Sequence, residues 1–412
     1  MSYLLVLYIS TTKCKMAPAP CVDAMKRMLK AGMSCLLFGM TVFVYSCKKG
    51  DSGDIIPIDP VVTLDTTGTL KSKASFPIGM AMRADIAGSI PAYFSTAVRE
   101  SSWVTFENEL KNDFVVQADG TYNFAGADAF YQKCVAAGLE VYGHTLVWHS
   151  QQRANIYNAQ IQAAVNGAAA DSNVQAGVVD SAMHKHIEAV VGHYKGKIKA
   201  WDVINEPFTE AGLLRNNLNT PITSSTFIWQ NYLGESYAEK AFRYAHAADP
   251  AAALYMNEYN LESSSPKLTA FVNLAKKLKE AGAPITGVGT QMHVLYTTQQ
   301  KGIDLMFQEL ASTGLKVRIS ELDVHVNVND AASYKINDNA ASIQAGMYQK
   351  IVNSYLKYVP ESQRAGIFIW GVNDTYNWLN TSTRPDAATL FDADFRKKPA
   401  FYSLLLALQG KP

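Results

Sequence analysis

Trp201-Asp-Val-Ile-Asn-Glu-Pro207 closes an apolar run that begins at Ile198. The run has the length and residue types of a buried β-strand, and Pro207 stops it because proline has no N–H to give to a ladder. Asn205 and Glu206 therefore stand at a strand tip, on a rigid support facing a loop-lined space. The pattern recurs roughly 115 residues later, where Lys316-Val-Arg-Ile-Ser320 runs into Glu321-Leu-Asp323. Two glutamates, each at the C-terminal end of an apolar strand, point to paired-carboxylate chemistry.

Outward from these strands the chain repeats one grammar: helix, stop signal, short apolar strand, polar tip. Ser265 to Gly282 is the clearest helix. Ser265 is placed to cap it, Pro266 suits its first turn, Leu268, Phe271, Ala275 and Leu278 share a face, and Gly282 closes it. The segments Ala125–Ala137, Gly234–Ala248 and Asp304–Ser312 each lead to a strand in the same way. Eight strand candidates result: Ile78–Ala81, Trp103–Phe106, Glu140–His144, Ile198–Val203, Ala252–Met256, Thr286–Gln291, Val317–Ser320 and Gly366–Trp370. They read as continuous apolar runs, the mark of parallel strands covered on both faces. The expected fold is α/β, a single (β/α)8 TIM barrel. No glycine fingerprint for a dinucleotide or a P-loop follows any strand, which weighs against a doubly wound sheet.

The formal net charge of +1 gives no electrostatic reason to expect nucleic acid as a partner. Four of the five cysteines lie within the first 47 residues, so a mature domain keeps only Cys134, read as a small buried hydrophobe, with no disulfide and no metal cluster. Residues 1–47 read as an export leader. Lys26, Arg27 and Lys30 precede an apolar stretch, Met33 to Tyr45, that is shorter than the ~20 residues of a membrane span. Val44-Tyr-Ser-Cys47 resembles a lipobox, with Cys47 as the lipidated residue and Tyr45 as a departure from the usual small side chain. This pattern implies a bacterial lipoprotein at the cell surface or in the periplasm, or otherwise a secreted protein, with Met25 or Met28 as the true start. Residues 48–72 are expected to be a flexible tether and 73–412 the barrel domain.

At the C-terminal mouth of such a barrel the strand tips converge. They supply Glu107, Asn108 and Lys111; His144, Trp148 and His149; Asn205 and Glu206; Asn257, Glu258, Tyr259 and Asn260; Gln291 and His293; Glu321 and Asp323; and Trp370, with Trp378 in the next loop. Any one of these has a duller reading, since a lone histidine or tryptophan at a strand end is commonly core. Seven consecutive tips ending in amides, imidazoles, indoles and carboxylates suit a neutral polyhydroxylated ligand.

WDVINEP at 201–207 and the run from Gly314 to Ile319-Ser-Glu-Leu-Asp-Val324 resemble the two glutamate signatures of glycoside hydrolase family 10, mainly endo-β-1,4-xylanases. FENELK (106–111), GHTLVWHSQ (143–151), NEYN (257–260), GVGTQMH (287–293) and WGVND with Trp378 extend the likeness over about 75–408. The resemblance implies a retaining enzyme without a cofactor, acting on xylan or xylo-oligosaccharides, with Glu206 as general acid/base and Glu321 as nucleophile; separately from it, a monomer is expected. It further implies that His293 and Asp323 orient the nucleophile, and that Glu107, Asn108, Lys111, His144, Trp148, Asn205, Gln291, Trp370 and Trp378 contact sugar. Tyr259 joins the candidate sugar contacts as a strand-tip residue. Asn112 stands where the family usually has tryptophan, Gln152-Arg-Ala-Asn155 replaces a Thr-Pro-x-Trp segment before an insertion at about 152–179, and Glu258 replaces a common aspartate. The rival readings are another β-1,4-glycanase on the same barrel and a surface lipoprotein that binds glycan with a dead site.

Overall fold

The computed structural model describes residues 65–165 and 171–410. The expected leader with Cys47, and the tether as far as residue 64, lie outside the described residues. Nine strand segments form one closed sheet: β1 (Ile78–Met82), β2 (Trp103–Phe106), β3 (Glu140–Gly143), β4 (Ala200–Asn205), β5 (Ala253–Glu258), β6 (Gly287–Thr290), β7 (His293–Leu295), β8 (Lys316–His325) and β9 (Arg364–Ile369). All neighbours pair in parallel in the order β6-β5-β4-β3-β2-β1-β9-β8, and β8 returns to β6. β7 continues β6 beyond a break at Gln291 and Met292, so the ring has eight strand positions with helices between them, a (β/α)8 barrel.

The strand ends fall within about two residues of where the apolar runs put them, except at the end of β8, and two of the shifts bear on the site. Ile198 and Lys199 precede the ladder, and β4 begins at Ala200 and reaches Asn205. β8 runs on from Ser320 to His325 because Asp323, Val324 and His325 find partners on β7, whose residues look like loop in the sequence.

Alternation along the strands sorts side chains into two cores. Met80, Val104, Val141, Trp201, Leu254, Val288, Val317 and Ile367 belong to the large cluster between sheet and helices. Tyr142, Ala200, Tyr255 and Phe368 form a separate small cluster inside the ring. The Arg318 guanidinium stacks 3.2 Å from the centroid of Tyr142 there and pairs with Asp202. β6 can carry glycines because its neighbours fill the interior. A Cβ on Gly287 would lie 2.2 Å from Tyr255, and one on Gly289 only 2.3 Å from Asn257 Oδ1.

The helix Ser265–Glu280 is capped by Ser264, one residue earlier than the sequence suggested, and Pro266 falls in its first turn. Its buried face carries Leu268, Phe271, Ala275 and Leu278 as expected, and also Lys267. The tether ends sooner than residue 72. Leu70 opens a short helix, Leu70–Lys73, is fully buried, and donates its N–H to Glu100, while Gln409 donates to the Asp65 carbonyl. The insertion folds as two helices, Ala154–Val165 and Ser172–His193. His184 stacks on Tyr244 whereas His186 is buried near Asn112 and Tyr122, so the two face apart, and Cys134 is buried.

Candidate active site

Glu206 leaves β4 with a backbone φ of +53°, a left-handed conformation that a side chain rarely adopts. Its N–H donates to the Asn257 carbonyl at 2.9 Å and its own carbonyl accepts the Arg215 Nε–H at 3.0 Å. The carboxyl group receives three neutral donors: the Trp148 indole N–H at 2.8 Å, Gln291 Nε2 at 3.0 Å and Asn205 Nδ2 at 3.3 Å.

Glu321 has a different setting. Its backbone N–H donates to the Gln291 carbonyl, Oε1 accepts Asn257 Nδ2 at 2.8 Å, and Oε2 faces His293 Nε2 at 3.4 Å. Burial opposes ionisation, but the neighbouring His144 and His293 and the Asn257 amide outweigh it and bring the carboxyl down to about 2. Burial likewise disfavours charge on His293, yet Asp323 and then Glu321 raise it to about 10. His293 Nδ1 lies 2.9 Å from Asp323 Oδ1, an ion contact whose angle is outside hydrogen-bond geometry. Asp323 Oδ2 accepts the Trp378 indole N–H at 2.8 Å.

A short chain of amides joins the two carboxylates. The Asn257 Nδ2 that bonds Glu321 also lies 3.0 Å from Asn205 Oδ1, and Gln291 Nε2 reaches both that oxygen and Glu206. Two register shifts make this possible. One falls between Asp202 and Ile204 on β4, the other between Ile319 and Leu322 on β8. With them, Asp202 and Asn205 both meet interior partners although three residues apart, and adjacent Ser320 and Glu321 both bond Asn257. Bulges beside active sites re-aim side chains in this manner.

The remaining tips gather around this pair. His144 Nδ1 lies 2.9 Å from Asp202 Oδ2, and Asp202 is itself held by Arg318 and the Tyr142 hydroxyl. Lys111 donates to Gln151 at 2.8 Å and lies over the Trp148 ring. Glu107 is pushed up to about 7 by burial, against the pull of Lys111. Asn108 is half-buried at the same strand tip. Trp370 is buried with its ring edge-on to His144 and His293, and Trp378 is half exposed above His293.

Tyr259, grouped above with the sugar contacts, has its hydroxyl engaged by Arg215 at 2.8 Å and its ring centroid 3.2 Å from the Lys267 ammonium. The sequence reading did not single out Asp202 or Ser320, and it left Asn257 among the tips without a role. The first two sit inside strands, where polar residues carry no signal of their own. Nothing in the sequence marked Arg215, a loop residue.

The family model described as Glycosyl hydrolase family 10 matches residues 69–407. The chain belongs to this family. Among its relatives, endo-1,4-beta-xylanase A of Cellvibrio japonicus is 33% identical over 84% of this chain and 57% of that protein. A protein of Acetivibrio thermocellus named exoglucanase XynX is 30% identical over 81% of this chain and 28% of its own length. The chain therefore spans only part of the curated relatives it matches. Among solved structures, a mutant of P. fluorescens subsp. cellulosa xylanase A in complex with xylopentaose has 31% identity and a TM-score of 0.69, over 83% of this chain and 100% of that one.

Proposed function

We propose that this chain is a retaining endo-β-1,4-xylanase, in which Glu321 is the nucleophile and Glu206 the general acid/base. The observation that carries the reading is the contrast between the two carboxyl groups. Glu321 is buried among groups that favour its ionised form, whereas Glu206 is met by three neutral donors and no cation within ion-pair distance among the described residues. Two carboxylates in unlike environments across one cleft fit double displacement.

In the first step the Glu321 carboxylate attacks the anomeric carbon while Glu206 gives its proton to the departing glycosidic oxygen. A glycosyl ester on Glu321 forms and the aglycone leaves as an alcohol. Esterification removes the charge from Glu321, and Glu206, now ionised, takes a proton from water as the water attacks the same carbon. Glu206 is protonated again and the anomer is retained. Asn205 sits beside Glu206 and is held by Asn257, where a hydrogen bond from its amide to the sugar 2-hydroxyl strengthens in the oxocarbenium-like transition state. Lys111, Glu107, Asn108 and His144 are assigned to sugar hydroxyls, and Trp148, Trp370 and Trp378 to ring faces.

Xylan is favoured over glucan because an endo-1,4-beta-xylanase and a xylanase complex with xylopentaose stand among the relatives, against one named an exoglucanase. Product analysis on xylan and on cellulose, with proton NMR following the first anomer released, tests the proposal. Release of β-configured xylo-oligosaccharides is expected. Inversion, or faster release from cellulose, refutes it. Among the described residues no helix is long and apolar enough to cross a membrane. The lipobox-like run supports export with a lipid on Cys47, ahead of a tether and the barrel domain. Labelled palmitate incorporated by the wild type and not by Cys47→Ser checks the anchor.

A further inference from the structure

We propose that Arg215 is a positioning residue that holds Glu206 in the backbone conformation from which its carboxyl serves the leaving group. The inference rests on Glu206 being the acid/base. Glu206 adopts a left-handed backbone without being glycine, so something outside the residue must fix it. Arg215 does so with one planar fork. Its Nε–H bonds the Glu206 carbonyl at 3.0 Å and its Nη2 bonds the Tyr259 hydroxyl at 2.8 Å. The Arg215 backbone N–H also bonds the Pro207 carbonyl at 3.0 Å.

A hairpin brings Arg215 back to this point. Phe208 and Leu214 bridge antiparallel, Thr209 N–H bonds the Leu213 carbonyl, and Gly212 turns the chain at φ +73°. The far side of the fork is equally fixed. Tyr259 lies against the Lys267 ammonium, Lys267 pairs with buried Glu258 at 3.1 Å, and the Glu258 carboxylate accepts the N–H groups of Phe208 and Tyr259, each at 3.0 Å. Residues 206 to 208 are thus gripped from both ends of one platform.

The cost of this arrangement argues for its purpose. Arg215 is only 7% exposed, yet among the described residues it has no carboxylate at ion-pair distance. A buried guanidinium that serves stability is ordinarily repaid by an ion partner. Here its donors go to a carbonyl and a phenol, and the carbonyl belongs to the acid/base itself. Arg215 makes no hydrogen bond to the Glu206 carboxyl, so it acts through the main chain.

The test compares Arg215→Met and Arg215→Lys with wild type and Glu206→Ala on two aryl β-xylobiosides, one with a 2,4-dinitrophenyl and one with a phenyl leaving group. kcat/KM reports the steps up to the glycosyl-enzyme, and only the phenyl substrate needs a proton there. Arg215→Met is expected to lose about ten- to a hundred-fold on the phenyl substrate and less than about three-fold on the dinitrophenyl one. Arg215→Lys, which keeps charge but not the fork, is expected to fall between, and it carries the test if the methionine variant does not fold. Equal losses on both substrates, or none on either, in a folded variant would overturn the proposal. If Glu206→Ala itself shows no such split, it is the acid/base assignment that fails.

Discussion

Replacing His293 by glutamine removes a cation from beside Glu321 and leaves a neutral amide donor of shorter reach. In the native site Glu321 is held at about 2 against an ordinary 4.5, although burial alone would raise it. A charge-assisted hydrogen bond to such a carboxylate contributes about 1.5–3 kcal/mol, and 1.36 kcal/mol corresponds to one pH unit, so its loss raises Glu321 by about one to two units. The sign follows from chemistry. The nucleophile works ionised, so activity falls as pH drops through its pKa, and a raised pKa moves the acid limb to higher pH. His293 itself is raised to about 10, so in the native enzyme this cation is present throughout the neutral range. The assay is kcat/KM against pH on a dinitrophenyl β-xylobioside, for which leaving-group protonation is unimportant. The wild type is expected to show no inflection from Glu321 above about pH 4, and the variant an acid limb displaced upward by one to two units. Because Glu321, His293 and Asp323 interact closely, the limb reports the group as a whole. A folded variant whose profile overlays that of the wild type would show that His293 does not hold the nucleophile ionised.

Glu321→Ala is expected to abolish hydrolysis while xylo-oligosaccharide affinity persists by calorimetry, and turnover at the wild-type rate would remove it from the nucleophile role. Glu206→Ala is expected to keep much of its activity on substrates with excellent leaving groups while losing xylan hydrolysis. Gly289→Ala places a methyl group 2.3 Å from Asn257 Oδ1, and overpacking of this kind costs about 1–3 kcal/mol. Because Asn257 also bonds Glu321, a fall in both melting temperature and kcat is expected; an unchanged kcat would separate Asn257 from the chemistry. Lys267→Met strands Glu258 in a fully buried position, and breaking a buried pair from one side costs about 3–5 kcal/mol. Because burial raises Glu258 to about 8 even beside Lys267, denaturant titration at pH 9, where Glu258 is ionised in the wild type, measures the loss, and a variant as stable as wild type there would mean that Glu258 protonates without penalty.

Much of the site was legible because a strand tip is a local property. An apolar run that ends in a polar pair at proline announces both the strand and the residues that leave it; Asn205, Glu206, Gln291 and His144 do lie at or just past strand ends, whereas Glu321 lies inside β8, which runs on to His325. Helices were legible for the same reason, through caps, stripes and terminal glycines, as Ser265–Glu280 illustrates to within one residue at its cap. The segment 65–72 was misread as tether because what anchors it, buried Leu70 and the Lys71 ammonium on the Val98 carbonyl, reaches residues far away in the chain.

Residue order along one strand thus determined the repeating unit, the barrel, and which side chains reach its mouth. It could not determine their aim. Strict two-residue alternation would send Asp202 and Asn205, or Ser320 and Glu321, to opposite faces of the sheet. The register shifts on β4 and β8 exist only in the pairing with neighbouring strands, and they turn these residues onto the same partners. The Arg215 contact belongs to the same class. It joins a loop residue to a carbonyl nine positions back and to the tip of β5, a closure set by the three-dimensional path of the chain and by no local pattern of side chains.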